Sequence, residues 1–592
     1  MKILEAEFKT FHGPNIYSDD KVIAAKLPIN QLKWNGKNQS DYLDNLKKFL
    51  NYINFTAITF FDDIQFDKAE NFIKSFANKL LNVDLPSNLE IRLLTIGDNH
   101  YILIENFHIE EACISAINVA LLTCFLLQNK NNEEQKKLTA KIQHSLHQYS
   151  MTCPPRVIKT MQFEAKKLNI PIYLVEPSTF LFSYGQGKNS NWFQFGCSEK
   201  DSHIGTMLQD DKLLTSKMLS ALGLPSTKQV ATISERECLI TAKSMGYPLV
   251  IKPPKEHQGI GVSTNINNDR KLISAFRKAR KHSNVVILEN YIEGEDHRIN
   301  VVNGQVIQIT KRIIPHIIGD GKNTIKSLIE RENINKLELK KKEPHYKQIP
   351  FNQELLSHLD LMGYAIQNIL KPGEKLILRD VANISLGATK ESIDPALMHP
   401  DNHEMATEIA NYFRLDSIGI DFITTDISKS WREAGTIIEI NTHPFINESM
   451  SHDFMKASFS DKNNGRINTC LILCEDQNFA LEHFKQQSSK HNYPAFINAK
   501  MVKMGNSNKK ITDDNLHNRC IAALLHPKCD YLMVQMTADE IVNNGLPIDN
   551  FTQCIVDEKK KYEKFVFKEP KLGKKSNSSI IEWLQKYCVS IC

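Results

Sequence analysis

The sequence has 592 residues, more than a single core needs, and its length indicates three or four domains. Hydrophobic residues make up 41% and charged residues 24%, an ordinary globular composition that excludes a disordered or fibrous chain. Lysine and arginine number 73 and aspartate and glutamate 68, so the net charge of +5 is too small to indicate a nucleic-acid or membrane partner.

The cysteines and the N-terminus favour a cytoplasmic protein. Twelve cysteines include no Cys-x-x-Cys pair, so we expect free, mostly buried thiols in a reducing compartment. Acidic residues interrupt the first eight positions, where a signal peptide would have its apolar run, and we expect no targeting segment. The most apolar stretch, 112–127, is short for a membrane span and predicts a buried helix.

Changes in pattern divide the chain into three predicted domains. Residues 1–150 predict a small α+β domain with a strand hairpin around Gly97. A helix-then-strand rhythm begins after Pro154 and predicts an α/β domain over 151–462. The last predicted domain, 463–592, contains two strand candidates, 469–473 and 531–536. The fold class is therefore a multidomain mixture of α/β and α+β.

Two features of the second domain suit the phosphates of a nucleotide. Lys252 ends an apolar strand, where a buried lysine is costly unless an anion satisfies it. The glycine loop that follows offers backbone N–H groups to phosphate oxygens, and its candidate contacts are His257, Gly259 and Gly261. Taken alone, each feature is also consistent with an exposed lysine or a plain turn.

The next strand suits the rest of the nucleotide. An adenine ring needs backbone donors and acceptors between apolar walls, which the segment from Glu289 through Tyr291 to Ile292 provides. Asp296 follows closely and is a candidate for the ribose hydroxyls. Without the neighbouring motifs, the same pattern would equally describe a strand that ends in a solvated acidic turn.

Three oxygen-bearing side chains late in the domain suit a metal ion. Asp421 lies inside an apolar strand pattern, and alternation along the next strand places Glu439 and Asn441 on one face. Such ligands suit Mg²⁺ that bridges phosphates. A salt-bridged strand is the alternative for this pattern considered alone.

The order of these motifs is more specific than any one of them. A first lysine, Lys212, stands in Asp210-Asp-Lys-Leu-Leu-Thr-Ser-Lys, before Leu222-Gly-Leu-Pro. With Lys252, the glycine loop, the acidic hinge and the late carboxylates, this order resembles the ATP-grasp fold of carboxylate–amine ligases.

Two further segments narrow the resemblance. Arg312-Ile-Ile-Pro-His-Ile-Ile-Gly-Asp-Gly-Lys-Asn-Thr-Ile and Leu378-Arg-Asp-Val-Ala-Asn-Ile-Ser-Leu-Gly-Ala-Thr are similar to segments of cyanophycin synthetases. The match covers roughly 181–447. Within it, Tyr184-Gly-Gln-Gly-Lys-Asn-Ser-Asn-Trp resembles a substrate-side motif of that family, but asparagines replace its paired arginines.

The resemblance implies a reaction and its participants. ATP would phosphorylate a substrate carboxylate, and an amine would displace phosphate to form an amide, with Mg²⁺ held by Asp421, Glu439 and Asn441. Small amino acids or peptides are the implied substrates, together with a growing polypeptide polymer, and the family suggests a homo-oligomer. The arginines expected to contact phosphate or substrate carboxylates are Arg298, Arg312 and Arg379.

Cyanophycin synthetases normally end in a Mur-ligase-like module with a second ATP site. In this chain the corresponding module resembles a truncated form, because its phosphate-loop lysine and threonine would fall on Asn478 and Phe479. No Gly-Lys pair in the chain is followed by serine or threonine, so no Walker A loop is expected. One ATP site would then remain, as in relatives that polymerise β-aspartyl-arginine dipeptides.

Two alternatives stay open at this point. The chain could be an ATP-grasp ligase for an unrelated amino-acid or peptide product, since the paired arginines of the substrate-side motif are replaced. It could also be a non-catalytic nucleotide-binding scaffold. Release of ADP in the presence of candidate substrates would separate the scaffold from either ligase.

Overall fold

The computed structural model describes residues 5–34, 39–52, 64–82, 89–107, 109–254, 260–342, 346–379, 382–442, 446, 448–460, 463–511, 513–557, 562, 566–568 and 577–591. The chain forms two compact units. One consists of Met1–Phe195 together with Asn447–Cys592, and we call it the discontinuous unit. The other is Gly196–Ile446, the central unit. The predicted multidomain mixture of α/β and α+β structure is confirmed.

The discontinuous unit begins with α+β structure. Its antiparallel sheet has the strand order β1-β2-β4-β3, with β1 (Glu7–Phe11), β2 (Val22–Leu27), β3 (Glu90–Ile96) and β4 (Asn99–Glu105). The predicted hairpin is present: Ile96 pairs with Asn99, and Gly97 turns the chain with a φ of 59°. The helices here are α1 (Gln39–Tyr52), α2 (Ala69–Leu81), α3 (Glu110–Gln128) and α4 (Asn132–Thr152).

Helix α3 contains the apolar stretch predicted to be a buried helix. In the described part of the chain, it is the one helix long and apolar enough to cross a membrane. Its most apolar window is 72% buried inside the protein, where α3 contacts α2 and α4. The helix therefore forms part of the core of this unit.

The N-terminal portion of the discontinuous unit ends with one more helix and three strands. These are α5 (Arg156–Lys167), β5 (Ile172–Glu176), β6 (Leu181–Tyr184) and β7 (Asn191–Gln194). The central unit then begins with β8 (Cys197–Ser198), α6 (His203–Asp210) and α7 (Lys212–Ala221).

A four-stranded antiparallel sheet of order β11-β10-β12-β9 follows in the central unit. Its strands are β9 (Gln229–Thr232), β10 (Leu249–Lys252), β11 (Ser263–Ile266) and β12 (Val286–Asn290), and its helices are α8 (Glu235–Met245) and α9 (Asp269–Arg280). Both helices cover one face, where Ile251, Phe276 and Leu288 share a hydrophobic core. Lys252 and Glu289 occupy neighbouring strands of this sheet.

A second sheet, of order β17-β14-β13-β18-β19, carries most of the polar residues of interest. Its strands are β13 (Glu295–Val302), β14 (Gln305–Ile313), β17 (Thr389–Ile393), β18 (Ser417–Thr424) and β19 (Thr436–Thr442). Between β14 and β17 the chain forms an insert with β15 (His316–Ile318), α10 (Ile325–Lys342), α11 (Gln353–Leu361) and β16 (Lys375–Ile377). Helix α12 (Pro400–Phe413) contacts β13, β14 and β18.

The C-terminal portion of the discontinuous unit is built on a seven-stranded sheet of order β23-β22-β21-β24-β20-β25-β28. Strands 469–473 and 531–536 were predicted, and both are confirmed as parallel neighbours, β20 and β24. The elements are α13 (Glu448–Ser458), β20 (Asn468–Leu473), α14 (Gln477–Ser488), β21 (Pro494–Ile497), β22 (Val502–Met504), β23 (Ser507–Lys509), α15 (Leu516–Leu524), β24 (Tyr531–Met536), α16 (Ala538–Asn544), β25 (Phe551–Val556), β26 (Val566–Lys568), β27 (Asn577–Ser579), α17 (Ile580–Leu584) and β28 (Cys588–Ile591).

The compact units differ from the predicted domain boundaries at 151 and 462. Helix α5, predicted to begin the α/β domain, packs against α13 in the discontinuous unit. The segment predicted to be substrate-side is also held there: Asn189 donates to the carbonyl of Arg466 at 2.6 Å, and the N–H of Lys188 donates to Cys529 at 2.8 Å. These long-range contacts leave Gly196–Ile446 as the central unit.

Candidate active site

One face of the five-stranded sheet is apolar and the other is polar. Alternation along the strands sends Ile299, Ile420 and Ile440 into the core under α12. The opposite face carries a row across three strands, because Arg298 pairs with Asp421 and Asp421 pairs with Glu439. Asn441, Asp296 and Arg312 share this face. The structure therefore brings together the three predicted metal ligands and two of the three predicted arginines.

Asp421 is at the centre of this face, and its side chain is only 7% exposed. Its Oδ1 accepts a hydrogen bond from Arg298 Nη1 at 2.5 Å and another from Arg312 Nη2. Its Oδ2 lies 3.4 Å from Asn441 Nδ2. Two guanidinium groups thus neutralise a buried carboxylate that would otherwise be costly.

Sequence reasoning missed the role of Gly419 in this arrangement. Arg298 extends across Gly419 and donates to its carbonyl oxygen at 3.1 Å. A Cβ at this position would lie 2.7 Å from Arg298 Nε, so a larger residue would displace the guanidinium. The only signal in the sequence is a glycine inside an apolar strand pattern, where the lack of a side chain can allow another group to approach closely.

Asp296 and Arg312 are directly opposite each other on β13 and β14. Arg312 Nη1 lies 3.5 Å from Asp296 Oδ2, while Asp296 Oδ1 is buried without a hydrogen-bond partner among the described residues. Burial raises the pKa of Asp296 to about 6, against the opposing charge of Arg312. The pKa of Arg312 is raised, because Asp421 and Asp296 outweigh the effect of its burial. An unsatisfied acceptor fits a residue predicted to receive ribose hydroxyls.

Asp296 gives a pH dependence that can be measured. Its folded pKa of about 6 exceeds the ordinary value of 3.8, so the folded chain binds more protons between these two values. Its contribution to stability is therefore fully present below the lower value and is lost as the pH rises through the higher one. We expect wild type to lose ~1–3 kcal/mol relative to Asp296→Asn across this window. Urea unfolding at several pH values measures the difference.

The opposite slope would contradict this expectation. If wild type gained stability over Asp296→Asn as the pH rose, Arg312 would stabilise the carboxylate more than burial opposes it. A suitable control is Asp426→Asn, because the Asp426 carboxylate accepts hydrogen bonds from the N–H and hydroxyl of Ser428 in its own turn, and these bonds lower its pKa.

Both predicted phosphate lysines form ion pairs. Lys252 Nζ lies 2.7 Å from Glu289 Oε2, and the two side chains are 9% and 6% exposed. Lys212 Nζ lies 3.4 Å from Glu439 Oε1. Each lysine therefore has a carboxylate at the position where it could also meet a phosphate oxygen.

The carboxylate of Glu289 is engaged by Lys252 and by residues close to it, so it is not available to a ligand. Its Oε2 also accepts from Thr227 Oγ1 and Gln229 Nε2, each at 2.9 Å. Only the backbone of Glu289 would remain for an adenine ring, as the sequence prediction requires. The N–H of Tyr291 already donates to the carbonyl of Pro248 at 3.1 Å, which removes one of the expected backbone donors.

Gln229 is a second residue that sequence reasoning missed. Besides donating to Glu289, it lines a small pocket with Lys212 and Glu439. Its Oε1 is buried with no partner among the described residues. Gln229 thus contacts Glu289 of one ion pair and shares a pocket with the other pair, Lys212 and Glu439, and no local pattern in the sequence distinguishes it.

The remaining predicted residues have different outcomes. His257 and Gly259 lie outside the described residues. Gly261 is described and has a φ of 72°, as a turn glycine would. Arg379 does not join the polar face: it donates to Glu354, Pro350 and Asn352 within the insert and is 3% exposed. The prediction that Arg379 contacts phosphate or substrate is therefore not supported by its position.

The position predicted to have lost a phosphate loop lies between β20 and α14. Asp476 caps α14, and its side chain accepts a hydrogen bond from the N–H of Asn478 at 2.8 Å. A helix N-terminus attracts anions, and in this protein an aspartate of the chain occupies it. The N-terminal end of α14 is therefore capped by a side chain of the protein itself.

Comparisons with known proteins find relatives of part of this chain. The model of the D-ala D-ala ligase C-terminus family matches residues 218–330. Cyanophycin synthetase of Trichormus variabilis is 32% identical over 284 residues, which are 48% of this chain and 31% of that protein. The bifunctional glutathione biosynthesis protein of Desulfotalea psychrophila is 26% identical over 44% of this chain and 34% of its own length.

A solved structure shows a weaker likeness. The bifunctional glutathione synthetase from Pasteurella multocida has a TM-score of 0.39 and 14% identity, over 74% of this chain and 82% of its own. A TM-score this low supports no functional conclusion.

The polar sheet face and the matching sequences together define a class of protein. The central unit is an ATP-grasp domain of the kind found in carboxylate–amine ligases. More particularly, the chain is cyanophycin synthetase-like over about half its length. It spans about a third of the length of the curated relatives that it matches.

Proposed function

We propose that this protein is an ATP-dependent ligase that joins a carboxylate to an amine. The observation that carries the proposal is the row of Arg298, Asp421 and Glu439 across three neighbouring strands. Transfer of a phosphoryl group needs cations around the oxygens that gain charge, and this face brings Arg298 and Arg312 together beside carboxylates that could hold a metal cation. The similarity to cyanophycin synthetases agrees with this chemistry.

Magnesium fits the residues present. Asp421 and Glu439 offer carboxylate oxygens and Asn441 an amide oxygen, a donor set that suits a hard divalent cation. When bound, Mg²⁺ would supply charge neutralisation between phosphate oxygens. Lys212 and Lys252 would contact the nucleotide phosphates, and Asp296 would accept hydrogen bonds from the ribose through its unpaired Oδ1.

The proposed reaction has two steps, phosphoryl transfer and amide formation. The substrate carboxylate takes the γ-phosphoryl group of ATP and releases ADP, with Arg298 and Arg312 stabilising the added charge. The amine nitrogen then attacks the acyl carbon, the bond to phosphate breaks, and the amine loses a proton to give the amide. Both steps depend mainly on positioning and on fixed positive charge.

The substrate that we propose is the β-aspartyl-arginine dipeptide, added to a growing polymer. One ATP site suffices if the side-chain bond already exists, and the Asp476 cap occupies the helix end where a second phosphate would bind. We also propose a cytoplasmic location, where thiols such as those of the eleven described cysteines stay reduced. Assembly into a homo-oligomer stays a prediction.

The test is incubation of the protein with ATP, magnesium and β-aspartyl-arginine, with and without a short primer. We expect ADP and phosphate, one ADP for each amide bond, and product masses that rise by one dipeptide unit. Products of AMP and pyrophosphate would contradict the acyl-phosphate mechanism. Amide formation only with another amino acid or peptide would support the ligase proposal and contradict polymerisation of the dipeptide. No ADP with any substrate would favour a nucleotide-binding scaffold.

A further inference from the structure

The insert between β14 and β17 is large for the connection it makes. These strands are antiparallel neighbours, and two such strands can be joined by about 2–5 residues. The chain instead forms α10, α11 and a two-stranded sheet around a separate hydrophobic core that includes Leu328, Leu355 and Leu376. A connection with its own core can shape a cavity, and this one does.

A pocket of about 220 Å³ lies where the insert meets the ends of the two strands. Ile314 and Thr389 line it beside the ends of β14 and β17, His316 lines it from β15, and Arg331, Glu332 and Lys336 line it from α10. Its volume is below the ~300 Å³ of a pocket for a drug-sized ligand and suits a group about as large as one amino acid.

Lys336 gives the pocket its chemical character. Its side chain is 3% exposed, and its ammonium lies 3.3 Å from Glu332 Oε1, one turn earlier on α10. Glu332 is 32% exposed, so the buried cation has a partly solvated counter-ion. Arg331 adds a second positive charge to the lining. Arg331 is 60% exposed and pairs with Asp320 at 3.4 Å, so the buried ammonium of Lys336 is the group in the lining that most favours an anionic ligand.

The pocket begins next to the candidate active site. Thr389 pairs with Ile313 on the neighbouring strand. Ile314 of the lining is two residues after Arg312, whose guanidinium contacts Asp421. A substrate bound across this region would place one end in the pocket and another near the polar face. Such positioning is the main contribution a protein can make to a reaction between two bound groups.

We propose that this pocket binds a non-reacting carboxylate of the amino-acid or peptide substrate, with Lys336 as its principal cation. This inference rests on the proposed ligase function and adds the part of the substrate that is recognised. A dipeptide of the aspartyl-arginine type carries such a carboxylate on its arginine, away from the amide that forms. A carboxylate paired with a buried lysine also contributes specificity, because an uncharged analogue would leave the lysine unsatisfied.

The test is calorimetric binding of β-aspartyl-arginine and of its arginine amide to the full-length protein. Lys336→Met keeps the length of the side chain and removes its charge. The matched control is Lys326→Met, because Lys326 also pairs with a glutamate one turn away on α10 but is 59% exposed. We expect Lys336→Met to weaken dipeptide binding about 10- to 100-fold, whereas Lys326→Met binds as wild type does.

Comparing the binding of the dipeptide with that of its arginine amide distinguishes a loss of carboxylate recognition from a loss of folding. Wild type should bind the amide as weakly as Lys336→Met binds the free dipeptide, and Lys336→Met should bind both forms equally. Equal losses for dipeptide and amide in Lys336→Met, or no saturable dipeptide binding by wild type, would overturn the pocket assignment. Release of ADP by wild type tests the ligase proposal separately. If wild type forms the amide and Lys336→Met binds the dipeptide as tightly as wild type does, only the pocket proposal is contradicted.

Discussion

Replacing Glu289 with leucine is expected to lower the free energy of opening of β10 and β12 by about 3–5 kcal/mol. The change leaves the buried Lys252 without the carboxylate that lies 2.7 Å from it. It also removes the acceptor used by Thr227 and Gln229. Hydrogen exchange of the amides in these two strands measures the local stability directly, which suits a chain with more than one unit.

Two further variants make this result specific. The double variant Lys252→Met and Glu289→Leu should recover most of the loss, because replacing a buried pair by apolar residues is often neutral. Glu235→Leu removes the partner of Arg277, whose side chain is 68% exposed, and should cost less than about 1 kcal/mol. A loss as small as this for Glu289→Leu would show that Lys252 has another counter-ion.

Substitution of Asp421 by asparagine is expected to lower the rate of ADP release by about 100-fold or more at saturating magnesium. The variant keeps the size of the side chain but removes the negative charge on which Arg298 and Arg312 converge. It also removes one proposed metal ligand. A loss of this size corresponds to about 2.7 kcal/mol of transition-state stabilisation. Single-turnover ADP release over a magnesium titration measures it.

The variant Gly419→Ala distinguishes the contribution of Arg298 to the rate from that of the proposed metal ligands. The added methyl group would lie 2.7 Å from Arg298 Nε, so the guanidinium must move while Asp421 remains in place. Because a guanidinium is the flexible end of its side chain, we expect an unchanged fold and a roughly tenfold lower rate. Near-normal turnover in Asp421→Asn would show that the metal ligands are wrongly assigned, whereas normal turnover in Gly419→Ala would exclude only Arg298.

Local patterns in the sequence placed the metal candidates correctly relative to one another. Alternation alone puts Glu439 and Asn441 on one face of a strand, and Asp421 stands in an adjacent apolar strand. No local pattern gives the pairing of Arg298 with Asp421, which are 123 residues apart, because register between distant strands depends on the whole sheet.

The same limit explains the other differences. The sequence predicts that Arg379 contacts phosphate or substrate carboxylates, but in the structure its side chain donates to Glu354 and Asn352, which precede it by 25 and 27 residues in the insert. The predicted domain boundary at 151 rests on a change in the pattern of helices and strands along the sequence. In the structure, α5 packs against α13, and the whole central unit lies between these two helices in the sequence. Periodicity reports which elements form and which face is apolar, and it carries no information on partners so far along the chain.

The discontinuous unit has a consequence for the order in which the protein folds during synthesis. The central unit is one continuous segment and can complete its core as soon as residue 446 has left the ribosome. The N-terminal portion has a core of its own within residues 23–142, but Pro14 accepts from the N–H of Leu546 at 2.8 Å and Gly13 leaves no room for a side chain beside Ile548. The segment around Gly13 and Pro14 is therefore among the last parts of the chain to reach its final contacts, and until then it is open to proteases and chaperones.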